Sequence, residues 1–319
     1  MRFEIKYTKT GNQFFFISNL SEWHFSCRPE YNKLWLQQTG PLSAEEKKAL
    51  LSFKKIIKKY SFGPKYLGYC FFDYSEKTIW SCVENFVTKE EFETLKEIFK
   101  IFLPRFKLIW NKNKLDKIAK EIKTIYKDKK FKKAIGSIET LFNTKINKFT
   151  LFLLLVPENS FTIGGGANTQ KGIVTVEIRN KKDSNEAILI GLHEIIHQHF
   201  NEINSKLNIS NKIVKKQLLK IPLFKEEGFS CGLKELIICS LVPDGFLRGY
   251  FEKNYRPINK RKINLLDRSD LEDFIIYKSY PLIKEYIKKR KKLDQHYVNC
   301  ILSYTLEFIK KALSSACRT

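Results

Sequence analysis

An unbroken apolar run, Ala187-Ile188-Leu189-Ile190-Gly191-Leu192, leads directly into His193-Glu194-Ile195-Ile196-His197. Such a run is tolerated only in a buried helix, and that helix must find partners for two imidazoles and a carboxylate, because burying them unpaired is costly. Histidines four apart project from one helical face, one turn from each other. The chain has five histidines, and three of them (His193, His197 and His199) fall within seven residues, so the cluster does not follow from composition. The pattern H-E-x-x-H sets two imidazoles on one ion, zinc by ligand type, with Glu194 placed to hold a water. Asp183-Ser184-Asn185-Glu186 sets a cap residue three before a glutamate and predicts a capping box opening a helix over about 184–203.

Two histidines leave a catalytic zinc site one protein ligand short, with the fourth position reserved for water. His199 follows His197 by two residues and is turned about 200° around the helix, away from the ion. The longer motif H-E-x-x-H-x-x-G-x-x-H is absent, because Ile203 occupies the place of its last histidine. A carboxylate from a later helix is the remaining source. Glu235 sits within the apolar stretch Leu233–Leu241, 42 residues after His193, and has the same burial problem as the histidines. Glu226 and Glu227, in Phe224-Lys225-Glu226-Glu227-Gly228 at an expected helix start, leave Glu227 as the alternative.

The strand signals lie just upstream. Lys148–Val156 is short, apolar and closed by Pro157, as a buried strand would be. Gly164-Gly165-Gly166-Ala167-Asn168 reads as a bend, since no Walker lysine or dinucleotide spacing accompanies it. Gly172–Ile178 alternates in its second half and reads as an edge strand.

The order strand, edge strand, H-E-x-x-H helix and glutamate-bearing helix resembles the gluzincin class of zinc metallopeptidases. The resemblance covers about 146–250 and rests on His193, Glu194, His197 and Glu235. Ile190, Gly191, Ile195, Ile196 and the uncharged Gln198 fit that class. His199, where an apolar residue is usual, and Cys239, where some members place an aspartate four after the ligand glutamate, depart from it. The resemblance implies a zincin-like domain with Zn²⁺ as cofactor, a peptide or protein substrate, and Glu194 as general base. It implies that the edge strand holds an extended peptide, with Val174 and Val176 along it and Gly165, Gly166 and Asn168 at its rim. A tyrosine beyond the third ligand would donate to the oxyanion, the candidates being Tyr250 and Tyr255.

All four tryptophans lie in the first 110 residues, which suggests two cores: a mainly helical, aromatic-rich region over 1–145 and the zincin-like domain over 146–319. The fold class is therefore α+β. Residues 12–36 read as aromatic and irregular. Ser43-x-x-Glu46 opens a helix to about Tyr60, and Thr88-x-x-Glu91 opens one from Glu90 to about Phe102, stopped before Pro104. Further helical patterns cover about 105–126, 130–142, 211–220, 228–241, 268–289 and 293–315.

The hydrophobic fraction of 43% excludes general disorder. A net charge of +24 would attract nucleic acid or an acidic partner. The lysines are scattered, however, as in a chain drifting towards A/T-rich codons, and KEYIKKRKK over 284–292 reads first as a charged helix end. Seven cysteines without a C-x-x-C pair predict no disulfide framework and a reducing compartment. With no signal peptide and no run of about 18 apolar residues, the expectation is a soluble, cytoplasmic protein without a membrane span. Peptide deformylases share H-E-x-x-H but need an upstream E-G-C-L-S segment, which is missing. The leading reading is a zinc-dependent peptidase. The alternatives are a basic nucleic-acid-associated protein with a structural or degenerate zinc site, and an inactive peptidase fold that binds a peptide without cutting it.

Overall fold

The apolar run Lys148–Leu155 (β2) organises the sheet because both of its faces are buried, as an unbroken hydrophobic strand requires. A computed structural model describes residues 1–24, 26–61, 65–166, 172–204, 218–219, 221, 225, 229–260, 264 and 267–316. In it, β2 pairs in parallel with β1 (Arg2–Lys6) on one side and β4 (Ile173–Ile178) on the other, and the two-residue β3 (Gly165–Gly166) lies antiparallel to β4. The order is β1-β2-β4-β3. The described residues are mostly helical with this one small sheet, an α+β architecture.

One expectation is corrected here. Gly172–Ile178 does not form the edge: β4 is interior, with all six residues buried, and the edge passes to the glycine pair of β3. β1, from the N-terminal region, is part of the same sheet. The compact units are Met1–Ile125 with Asn147–Glu194, and Tyr126–Ile146 with Ile195–Thr319.

The first unit surrounds the sheet with helices. α1 (Lys9–Leu20) fills much of the stretch expected to be irregular, its N-terminus capped by Thr8, which accepts from the Gly11 amide. α2 (Pro29–Thr39), α3 (Ala44–Lys59), α4 (Gly68–Phe72), α5 (Ile79–Phe86), α6 (Lys89–Ile109) and α7 (Lys112–Lys127) follow. The capping boxes of Ser43 with Glu46 and Thr88 with Glu91 both form. The core is aromatic, with Phe71 stacked between Phe14 and Phe99 at 4.1 and 5.3 Å. α6 does not stop before Pro104; it continues to Ile109. Phe102 and Phe106 are buried on either side of the proline, and Arg105 binds Glu46 and the carbonyls of Thr39, Gly40 and Pro41. Those contacts outweigh the helix bond that Pro104 removes. Cys70 and Cys82 form a disulfide across 5.4 Å between Cα atoms, contrary to the expected absence of bridges.

The second unit is helical. α8 (Lys129–Phe142) ends on Asn143 in the left-handed conformation, φ 48°. α10 (Phe229–Cys239), α11 (Arg248–Phe251), α12 (Arg268–Lys288) and α13 (Gln295–Ala316) complete it. Phe274 packs on Phe308 and Tyr286 on Tyr297, joining α12 to α13, while Tyr297 shares a 2.7 Å hydrogen bond with Ser240. α9 (Ser184–Asn204) is one continuous helix within which the division falls. Most of the helix expected over 211–220 lies outside the described residues. Among the described residues, no helix is long and apolar enough to cross a membrane.

Candidate metal and peptide site

A short turn leads into the motif helix. Asn180 caps a short 3₁₀ turn, Lys181–Asp183, and the Asp183 carboxylate accepts from the amide, Nε and Nη2 of Arg179. Burial pushes the Asp183 carboxyl up, but the bonds from Arg179 prevail and hold it below the usual range. Further along α9, Ile188, Leu189, Leu192, Ile195 and Ile196 are fully buried. The glycine within this run has a packing reason: a Cβ on Gly191 would lie 2.4 Å from Leu151 Cδ2 of β2. His193 is buried, and Glu194 and His197 are half-buried, one turn of helix separating the two histidines.

Glu194 faces the glycine edge. A Cβ built on Gly165 would lie 2.9 Å from Glu194 Cγ and 2.7 Å from Ile190 Cγ2. Only a residue without a side chain lets β3 approach the motif helix this closely.

Glu235, on α10, lies beside His197. Its Oε2 is 3.1 Å from His197 Nε2, while Oε1 accepts from Arg268 Nη2 at 3.1 Å and from the Cys239 thiol at 3.6 Å. Burial pushes the Cys239 thiol well up, with Glu272 and Glu235 adding to the shift. Lys234 donates to the His197 carbonyl at 3.0 Å and lies over the Phe200 ring. His199 is buried, and its Nδ1 shares a 3.0 Å hydrogen bond with Thr144 Oγ1. That partner satisfies it without a metal.

Two imidazoles and a carboxylate form a donor set suited to zinc. The 3.1 Å between His197 Nε2 and Glu235 Oε2 is close to the separation of two ligands each about 2.1 Å from one ion. Among the described residues, His193 on α9 and Glu235 and Cys239 on α10 are candidate metal donors.

The remaining expected site residues fare differently. Gly166 lies on the edge strand β3. Val174 and Val176 are fully buried inside the sheet, so their side chains are not available to a peptide. The Tyr250 hydroxyl shares a 3.1 Å hydrogen bond with Ser137, and the Tyr255 hydroxyl donates to the Asp244 carbonyl. Asn168, Glu226 and Glu227 lie outside the described residues. Arg268 and Lys234 were not anticipated. Arg268 opens a helix 33 residues after Glu235, and nothing in its local sequence marks it as that carboxylate's partner.

No protein-family model, curated protein or solved structure shows a significant match to the chain.

Proposed function

We propose that this protein is a zinc-dependent peptidase with a zincin-like centre, in which His193, His197 and Glu235 hold the ion. The observation that carries the reading is the division of the Glu235 carboxylate. One oxygen faces His197 and the other is tied to Arg268, an arrangement suited to a one-oxygen metal ligand whose orientation is fixed from behind. When bound, zinc supplies a Lewis acid that polarises the scissile carbonyl and acidifies a water. Glu194 would accept the attacking water's proton on its carboxylate and return it to the leaving amine nitrogen. The backbone of Gly165 lies against Glu194, and the Gly165–Gly166 edge supports pairing with an extended substrate, the role first expected of Gly172–Ile178.

The test is elemental analysis combined with digestion of a peptide mixture. One zinc per chain, lost in His193→Ala and Glu235→Ala but kept in Glu194→Gln, together with cleavage that disappears in Glu194→Gln, is the expected result. No zinc after metal is added back would overturn the reading.

Cys239 favours a second reading. Lying one turn after Glu235 and bonded to it, its sulfur offers a fourth protein ligand, which would close the site and make the ion structural. The protein would then be the basic, nucleic-acid-associated type, its charge of +24 serving as the binding surface. Cys239→Ser separates the two: it leaves zinc affinity nearly unchanged if the site is open and lowers it sharply if the site is closed.

A further inference from the structure

A cavity of about 500 Å³ lies within the first unit, with Gly165 and Gly166 of the edge strand on its rim. Its walls come largely from the N-terminal region: Phe15 and Asn19 of α1, Trp23 and Cys27 after it, and Tyr66 and Phe72 around α4. Gly165 is the same residue whose missing side chain lets Glu194 approach. The motif's carboxylate and the cavity therefore share one strip of backbone.

We propose that this cavity receives a bulky neutral side chain of the substrate, aromatic in preference, beside the bond that Glu194 acts on. The inference rests on the peptidase reading and adds the substrate class to it. Four aromatic wall residues offer edge and face contacts to a ring. The cavity's acidic and basic wall residues oppose each other, since Glu177 Oε2 lies 3.5 Å from Arg28 Nη2 and also accepts from the Tyr31 hydroxyl at 2.8 Å. A charged substrate side chain would be desolvated with no uncompensated counter-charge to meet it. Burial also favours the neutral forms of three walls, lowering the His24 pKa and raising those of Cys27 and Tyr66. Volume, ring content and lack of net charge agree on the same occupant.

Cys27 is a free, partly buried thiol on the wall and serves as a reporter. The expected result is that alkylation of Cys27 by iodoacetamide in the whole chain, followed peptide by peptide in a mass spectrometer, is slowed at least threefold by millimolar N-acetylphenylalaninamide. N-acetyllysinamide and N-acetylalaninamide do not slow it, and Cys231, which is exposed, is unaffected by all three. Trp23→Ala abolishes the protection and Trp23→Phe retains it. Equal protection by the lysine and phenylalanine amides, or protection by neither, overturns the proposal. Digestion of a peptide mixture separates this outcome from the peptidase reading. Cleavage without an aromatic preference, and without Cys27 protection, sinks the pocket and leaves the peptidase standing. Selective protection without any cleavage keeps the pocket as a binding site for such side chains and sinks the peptidase.

Discussion

Glu235 brings one carboxylate oxygen to within 3.1 Å of His197 Nε2, and its other oxygen is held from behind by Arg268. If that orientation serves metal binding, Arg268→Met lowers zinc affinity by roughly 10–100-fold without unfolding the protein. Competition against a chelator of known affinity measures it. An unchanged affinity would reduce Arg268, itself 44% exposed, to an ordinary surface ion pair.

Glu194→Gln keeps the shape of the side chain and removes the base. Zinc stoichiometry should stay at wild type while kcat for peptide cleavage falls by about 10²–10⁴-fold. Parallel elemental analysis and steady-state kinetics on one preparation decide it. Loss of zinc in this variant would make Glu194 a ligand instead of a base.

The Arg105–Glu46 pair is nearly buried, with side-chain exposures of 9% and 11%. Arg105→Met strands the Glu46 carboxylate and should cost about 3–5 kcal/mol in urea unfolding. Adding Glu46→Met should restore much of that loss. A cost below 1 kcal/mol for the single variant would mean that α6 holds its course past Pro104 without this contact.

Two carboxylates give opposite pH dependences. Burial pushes Glu91 up, but hydrogen bonds from Lys59 and Tyr60 outweigh it and bring the group down to about 2. Because the folded value lies below the unfolded one of about 4.3, this stability is present above that pH and is lost as pH falls towards 2. Burial raises Glu177 more than Arg28 and Tyr31 lower it. Its contribution is present below pH of about 4.3 and is lost as pH rises through the folded value. Urea titrations at pH 3 to 8 should therefore show Glu91→Gln less stable than wild type near neutrality and Glu177→Gln equal to it or more stable.

Glycine substitutions should diverge in sign. Nothing lies within 4 Å of a Cβ at Gly136 in the interior of α8, so Gly136→Ala should stabilise by about 0.5–1 kcal/mol. Gly165→Ala places its methyl against Ile190, Glu194 and the Thr175 carbonyl, so it should destabilise and displace the edge strand. Thermal unfolding of the two variants checks the contrast.

Local signals in the sequence proved readable where the cause is local. The capping boxes at Ser43 and Thr88, the buried run of β2 and the motif helix depend on residues a few positions apart, and each forms near its expected place. The errors arose where distant residues decide. Pro104 reads locally as a stop because the aromatic contacts and the Arg105–Glu46 pair that carry α6 past it involve residues elsewhere in the chain. Gly172–Ile178 reads as an edge because two glycines carry too little pattern to announce a strand. At the site, the histidine pair and Glu235 stood out as polar groups in apolar helices. Arg268, a charged residue at an exposed helix start, resembles many others in a chain this basic.

The pairing of β1 with β2 also governs the order in which the molecule can be made. Arg2 leaves the ribosome well before its partner Lys148, which follows 146 positions later. At about 5–20 residues per second, the first strand waits roughly 7–30 s for its neighbour. When Lys148–Leu155 does appear, its apolar length is a ready template for another chain until β1 and β4 cover its two sides. Removing β1 would leave one of those sides bare for good, so the early strand is itself a safeguard against aggregation.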